Sequence, residues 1–294
     1  MSKVTLRELK EFKHRINPEE RQGAYGYYFI RPLSLYVTYL ALRLGLTANQ
    51  VTVLQTIAGL AGALCLAFPT TPMTIAGIAL LQFGFVLDNV DGEVARFRKQ
   101  VSVTGKFLDT VGHELVIPSM YFALGVATYF RLGHFESVVA GFLWGLFSLR
   151  LDISTMYHEA AQLIETKLDQ SYDYYASIKF SEEKNLYRRK NEESAVRMLY
   201  ALFAYPATMN IITVVCIADF LFGSFSIMGR ETNLTYLMLL AYGFLLPVRR
   251  TLTIRRLAVG REVERKYITL VDLLKTQKKP QSPPRKQSKR SRRK

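Results

Sequence analysis

The stretch Leu44–Leu87, LGLTANQVTVLQTIAGLAGALCLAFPTTPMTIAGIALLQFGFVL, contains no Asp, Glu, Lys or Arg. A water-soluble helix hairpin of that length needs a polar face, and a run of about 20 apolar residues is enough to cross a bilayer. Pro69-Thr70-Thr71-Pro72 interrupts the run. Because proline stops a helix, the stretch reads as two membrane spans joined by a tight turn. Uncharged apolar stretches recur at 115–130, 137–149, 198–218 and 232–248. Six spans are therefore expected, at 49–68, 73–96, 104–131, 135–158, 197–222 and 232–256, the fourth being the weakest because its uncharged core is short. No strand-like alternation and no internal repeat is visible. The expected fold is all-α: a polytopic membrane helical bundle of six transmembrane helices, preceded by an N-terminal interfacial amphipathic helix.

Charge sets the expected boundaries and orientation. The chain has 294 residues, 49% of them hydrophobic, and a net charge of +15. The N-terminal arm, Arg96-Phe97-Arg98-Lys99, the 166–197 segment and the C-terminus are basic, whereas the opposite turns hold little beyond Arg131 and Arg230. The positive-inside rule then places both termini and the active-site end in the cytoplasm of an integral membrane protein. Residues 1–46 read as a cytoplasmic amphipathic arm and an interfacial helix, with Tyr27, Tyr28, Tyr36 and Tyr39 as aromatic anchors. Residues 47–258 read as the membrane domain and 259–294 as a disordered basic tail. The last twenty residues, Lys275 to Lys294, carry ten Lys or Arg and no acid. Such a tail serves either as a positive-inside solubilising segment or as an adhesion point for anionic lipid; nucleic acid is not an expected partner of a membrane protein. The N-terminus is charged and amphipathic, unlike a cleavable signal. Cys65 and Cys216 both fall inside expected spans, which argues against a disulfide framework or a cysteine metal site.

The second span ends Asp88-Asn89-Val90-Asp91-Gly92-Glu93-Val94-Ala95-Arg96, and the third opens Gly105-Lys106-Phe107-Leu108-Asp109-Thr110-Val111-Gly112-His113. A step of three puts Asp88 and Asp91 on one helix face, and steps of four do the same for Gly105, Asp109 and His113. A short reversal at 97–104 makes the two helices antiparallel neighbours, so three carboxylates and one imidazole converge at one end of the bundle. Carboxylates inside a membrane span are costly and mark function. Three together repel unless a cation lies between them, and hard oxygen ligands suit Mg²⁺ or Mn²⁺. Such ions clamp phosphate oxygens, which points to a phosphate-bearing substrate.

These residues resemble the signature of the CDP-alcohol phosphotransferases, Asp-x2-Asp-Gly-x2-Ala-Arg-x8-Gly-x3-Asp-x3-Asp. Asp88, Asp91, Gly92, Ala95, Arg96, Gly105 and Asp109 match it at the right spacing, and His113 stands where the last aspartate belongs. Thr47-Ala48-Asn49-Gln50-Val51-Thr52 is similar to the family's Pro-Asn-x2-Thr entry to the first span, with Ala48 in place of Pro. The resemblance covers residues 46–131 most clearly. It implies that Asp88, Asp91 and Asp109 bind one or two divalent cations, Mg²⁺ or Mn²⁺. It implies that Asp91, Gly92, Ala95, Arg96, Ser102 and Gly105 bind the CDP group, with Arg96 near its phosphates, and that Asn49 and Thr52 close the nucleotide pocket. The implied reaction transfers a phosphatidyl group from a CDP-lipid of the CDP-diacylglycerol type to a polar alcohol acceptor, with release of CMP, in phospholipid biosynthesis. A homodimer is implied as well.

The family's last aspartate is its general base, so His113 has two readings. In one it is the base, its ordinary pKa of about 6.5 suiting neutral pH better than an aspartate's value of about 3.9. In the other it marks an inactive member. Glu114 lies about 100° away round the helix. Arg150, with Asp152 beside it late in the fourth span, is a candidate acceptor-binding residue; an internal ion pair is the plainer reading. Three alternatives stand beside the phosphatidyl transferase. One is transfer of a phospho-headgroup from a soluble CDP-alcohol to a lipid alcohol. The second is an ion path through the intramembrane acids, disfavoured because they cluster at one face beside glycine and arginine. The third is an inactive scaffold whose tail recruits partners.

Overall fold

A computed structural model describes residues 4–16, 25–149, 202–203 and 205–259. Arg150, Asp152, the 159–196 segment and the tail from Lys275 to Lys294 lie outside the described residues. The described part is helical apart from one hairpin: α1 Leu6–Ile16, α2 Arg31–Arg43, α3 Ala48–Leu66, α4 Thr71–Phe97, α5 Val103–Leu132, α6 Glu136–Ser148, α7 Ala207–Phe222, β1 Phe225–Ile227, β2 Arg230–Thr232 and α8 Leu234–Val259. The chain divides into two units. The first, residues 1–151 and 171–250, holds everything described below. The second, residues 152–170 and 251–294, contributes only the last turns of α8 to the described residues.

Among the described residues, four helices are long and apolar enough to cross a membrane: Ala48–Leu66, Thr71–Phe97, Thr104–Leu132 and Leu234–Arg255. They correspond to the first, second, third and sixth expected spans. The fourth and fifth appear as shorter apolar helices, Glu136–Ser148 and Ala207–Phe222; residues 150–158 and 197–201 lie outside the described residues, and 202–203 and 205–206 are in turns. Large apolar side chains stand outward on α3 to α7, among them Ile57, Leu64, Ile75, Phe130, Phe142 and Phe220. In water such a surface would drive aggregation; against lipid tails it costs nothing.

Local chemistry explains the helix ends. Thr47 caps α3 with a capping box: its hydroxyl accepts from Gln50 N, and Gln50 Oε1 accepts from Thr47 N at 2.8 Å. Pro72 sits in the first turn of α4, where its missing N–H is harmless. The helix α4 ends in a Schellman motif, with Gln100 N donating to Ala95 O at 2.8 Å and Lys99 N to Arg96 O at 3.2 Å. The left-handed position in that motif is Lys99, at φ 54°, where glycine is the usual residue. The chain turns back at once, and Ser102 caps α5 by accepting from Gly105 N at 3.0 Å.

The expectation of no strands needs correction. Residues 225–227 and 230–232 pair antiparallel, Phe225 with Thr232 and Ile227 with Arg230. The two connecting residues, Met228 and Gly229, have φ of 52° and 80°. Positive φ at both is the geometry that matches the twist of a two-residue hairpin.

Small residues set the helix crossings. A Cβ on Gly62 would lie 3.0 Å from Gly77 O, and one on Gly77 would lie 2.8 Å from Gly62 O. The backbones of α3 and α4 therefore touch at this point, as small residues allow in membrane helix pairs. Lower in the sequence, Tyr121 of α5, Trp144 of α6 and Tyr242 of α8 form a stacked column, with ring centroids 4.1 and 4.3 Å apart. The Tyr121 hydroxyl shares a 2.6 Å hydrogen bond with Thr208 of α7. The sequence offers no reading of Trp144; the structure makes it the middle of the joint between α5, α6 and α8.

Candidate active site

The C-terminal turns of α4, the N-terminal turns of α5 and the N-terminal half of α3 meet at one end of the bundle. The tight 98–102 reversal makes α4 and α5 antiparallel, which brings Asp88, Asp109 and His113 together. Single ligand atoms from these three side chains all lie within 4.8 Å of one another. His113 Nε2 is 3.4 Å from Asp88 Oδ1, and His113 Nδ1 is 3.1 Å from Asp109 Oδ1. The histidine is buried and the two aspartates are half-buried. Tyr205 closes one side, its ring edge-on to the imidazole at 5.4 Å.

Geometry fixes the histidine tautomer. Nδ1 lies 2.9 Å from the main-chain carbonyl of Asp109. A carbonyl only accepts, so Nδ1 carries the hydrogen, and in the neutral ring Nε2 holds the lone pair. That lone pair looks toward Asp88 Oδ1, itself an acceptor. Two acceptors facing each other at 3.4 Å want a proton or a metal ion between them.

Neighbouring polar groups hold the carboxylates. Thr52 donates to Asp91 Oδ2 at 2.6 Å, and Gln55 Nε2 donates to Asp88 Oδ1 at 3.0 Å. Lys106 Nζ reaches Asp109 Oδ2 at 3.0 Å from a half-exposed side chain. Asp109 therefore spends one oxygen on the imidazole and the other on an ammonium. Asp91 is turned toward Thr52 of α3 and stands outside the trio of Asp88, Asp109 and His113. Gln55 Oε1 is buried and has no hydrogen-bond partner among the described residues. An orphaned buried acceptor costs free energy, and one beside a carboxylate pair is suited to a donor such as a cation-bound water. The two carboxylates and this orphan oxygen make a hard oxygen set that fits a divalent cation, and leave the imidazole lone pair for a proton.

The other expected residues lie nearby. Arg96 folds back along α4: a Cβ on Gly92 would stand 2.9 Å from Arg96 Nη1, so only glycine leaves room for the guanidinium there. Ala95 is half-buried in the same turn. Asn49 approaches the start of α5, where a Cβ on Gly105 would be 3.2 Å from Asn49 Oδ1. Ser102 is exposed and its hydroxyl is engaged as the α5 cap. Arg150 lies outside the described residues.

Glu93 is the residue the sequence reading passed over. It follows Gly92 and is fully buried. Ser34 donates to its Oε1 at 2.7 Å and Thr38 to its Oε2 at 2.5 Å, both from α2. A buried carboxylate needs such donors, and here they tie α2 to the turn of α4 that carries Asp91, Gly92 and Arg96. Ser34 and Thr38 are four apart and share a face of α2, but nothing in their spacing names Glu93 as the partner.

Comparison with known proteins places part of the chain beside one family. No curated protein sequence matches the chain. Among solved structures, the phosphatidylinositol phosphate synthase of Mycobacterium tuberculosis in complex with manganese and citrate is similar at 20% identity and a TM-score of 0.46, covering 75% of this chain and 88% of that one. The CDP-alcohol phosphatidyltransferase family model matches residues 45–174, a span that contains every expected nucleotide and metal residue. The segment that carries the carboxylates and His113 is thus the part of the chain that matches the CDP-alcohol phosphatidyltransferase family.

Proposed function

We propose that the chain transfers a phosphatidyl group from a CDP-lipid of the CDP-diacylglycerol type to a polar alcohol, releasing CMP. The observation that supports this reading most is the His113 arrangement. Its Nδ1 is occupied by Asp109, and its Nε2 faces the carboxylate end of the bundle. The acceptor hydroxyl gives its proton to His113 Nε2 as its oxygen attacks the lipid-bearing phosphorus. The phosphorus–oxygen bond to CMP breaks, and CMP leaves with the electron pair. Asp109 Oδ1, beside Nδ1, holds the ring and offsets the positive charge that develops on it, the role an aspartate plays beside a catalytic histidine.

Asp88, Asp91 and Asp109 are the residues proposed to hold Mg²⁺ or Mn²⁺, which when bound would neutralise charge on the pyrophosphate oxygens. Thr52 and Gln55 set the rotamers of Asp91 and Asp88. Arg96, folded over Gly92, would meet the phosphates, and Ala95, Gly105, Asn49 and Ser102 would form the wall against the nucleotide. Binding by Asp109 requires the flexible Lys106 ammonium to give way to the cation. We further propose the cytoplasmic orientation of this end and of both termini, the 1–46, 47–258 and 259–294 division, and a homodimer.

The test is CMP release by purified protein, with CDP-diacylglycerol or a soluble CDP-alcohol as donor, across a panel of alcohols. Acceptor-dependent CMP release from the CDP-lipid supports the proposal. Release only from the soluble CDP-alcohol reverses the polarity, and no release with any pair leaves an inactive member.

A further inference from the structure

At the opposite end of the bundle from the carboxylates lies a second cavity, of about 380 Å³. It is bounded by the α3–α4 turn, the end of α5, the end of α7 and the hairpin. Three charged residues line it: Arg131, Asp219 and Glu231. Their commitments differ. Asp219 caps α8, its two oxygens accepting from Leu234 N at 2.7 Å and Thr235 N at 2.9 Å. Arg131 spends Nε on Pro69 O and Nη2 on Thr74 Oγ1. Among the described residues its Nη1 has no acceptor and it makes no ion pair. Glu231 Oε1 accepts from Ser224 at 2.6 Å, and among the described residues its Oε2 has no donor. One guanidinium and one carboxylate thus line the same cavity and, among the described residues, do not pair with each other. The outer wall is apolar: Ile75, Ile217 and Phe220 are each at least half exposed.

We propose that this cavity binds the headgroup of a zwitterionic phospholipid, with the phosphate on Arg131, the ammonium on Glu231, and the acyl chains along Ile75, Ile217 and Phe220. A headgroup carrying only negative charge satisfies Arg131 but leaves Glu231 and Asp219 facing phosphate, whereas a phosphate with an ammonium one short linker away satisfies both open groups. The site is separate from the one at which transfer is proposed, so neither reading depends on the other.

The experiment uses the full chain in detergent with an equimolar mixture of phosphatidylethanolamine and phosphatidylglycerol, and counts bound lipid by native mass spectrometry. A photoactivatable phosphatidylethanolamine maps the position. The parent protein is expected to retain phosphatidylethanolamine in preference, with labelling in residues 69–78 and 216–233. Arg131→Gln loses retention of both lipids by about tenfold or more, the scale of one lost charge-assisted hydrogen bond. Glu231→Gln, which keeps the Ser224 contact, levels the two lipids. Arg230→Gln is the control: this arginine is at the same end, pairs with Glu136 at 3.5 Å and does not line the cavity, so the variant behaves as the parent. Equal retention of the two lipids by the parent overturns the proposal. So does an unchanged preference in Glu231→Gln, or labelling confined to the carboxylate end. The Glu231→Gln result stands even if Arg131→Gln fails to fold.

Discussion

Replacing Thr38 by valine removes one hydroxyl from the buried Glu93 carboxylate and changes almost no volume. The lost group is the donor 2.5 Å from Glu93 Oε2, on a residue with no solvent exposure of its own. Hydrogen bonds to charged groups contribute about 1.5–3 kcal/mol net. Because valine is nearly isosteric with threonine, no cavity penalty adds to it. We therefore expect Thr38→Val to lower stability by about 2 kcal/mol. Ser34→Ala should cost a similar amount, with the double variant departing from additivity because both act on one carboxylate. Unfolding in mixed micelles with increasing denaturing detergent reads these differences. The sharper expectation concerns α4: with the anchor to α2 weakened, the turn holding Asp91, Gly92 and Arg96 loses its fixed position. Thr38→Val within about 0.5 kcal/mol of the parent, the range of an ordinary surface change, would refute the idea that Glu93 is held by α2.

Other outcomes follow from the same geometry. Gly77→Ala places a Cβ 2.8 Å from Gly62 O, a backbone atom with little freedom to move, and should cost about 1–3 kcal/mol in the same unfolding assay. Lys99→Gly relieves the left-handed conformation at the end of α4, worth about 1 kcal/mol for a residue with a Cβ, and should raise the thermal midpoint slightly. Removing divalent cations with a chelator should abolish CMP release, and Mn²⁺ or Mg²⁺ should restore it. Asp88→Asn should then need at least about tenfold more metal, since a ligand charge is lost.

The motif spacing carried most of the site. Asp88, Asp109 and His113 meet because steps of three and four repeat on one helix face and because the 98–102 reversal is too short for anything but an antiparallel return. Sequence named Thr52 through a family pattern, as closing the nucleotide pocket; its bond to Asp91 comes from the structure. It did not anticipate Gln55, whose amide lies one helical turn beyond Thr52, nor Tyr205, which reaches His113 from a distant part of the chain. Ser102 shows how one residue type suits two tasks: the hydroxyl expected to meet a nucleotide caps α5. Glu93 was hidden among the variable motif positions, since nothing local shows that a carboxylate beside two functional residues is buried. The hairpin was missed because three-residue strands are too short for alternation to stand out, and its Met228-Gly229 turn lacks the usual Asn-Gly or Asp-Gly signature.

The most direct test of the proposed chemistry is the rate of acceptor-dependent CMP release by His113→Ala at saturating CDP-diacylglycerol and metal. If His113 Nε2 takes the acceptor proton, the rate falls by about 10²–10⁴-fold, the usual contribution of a positioned base, while donor binding stays close to that of the parent. A rate within about tenfold of the parent contradicts the account and moves the base elsewhere.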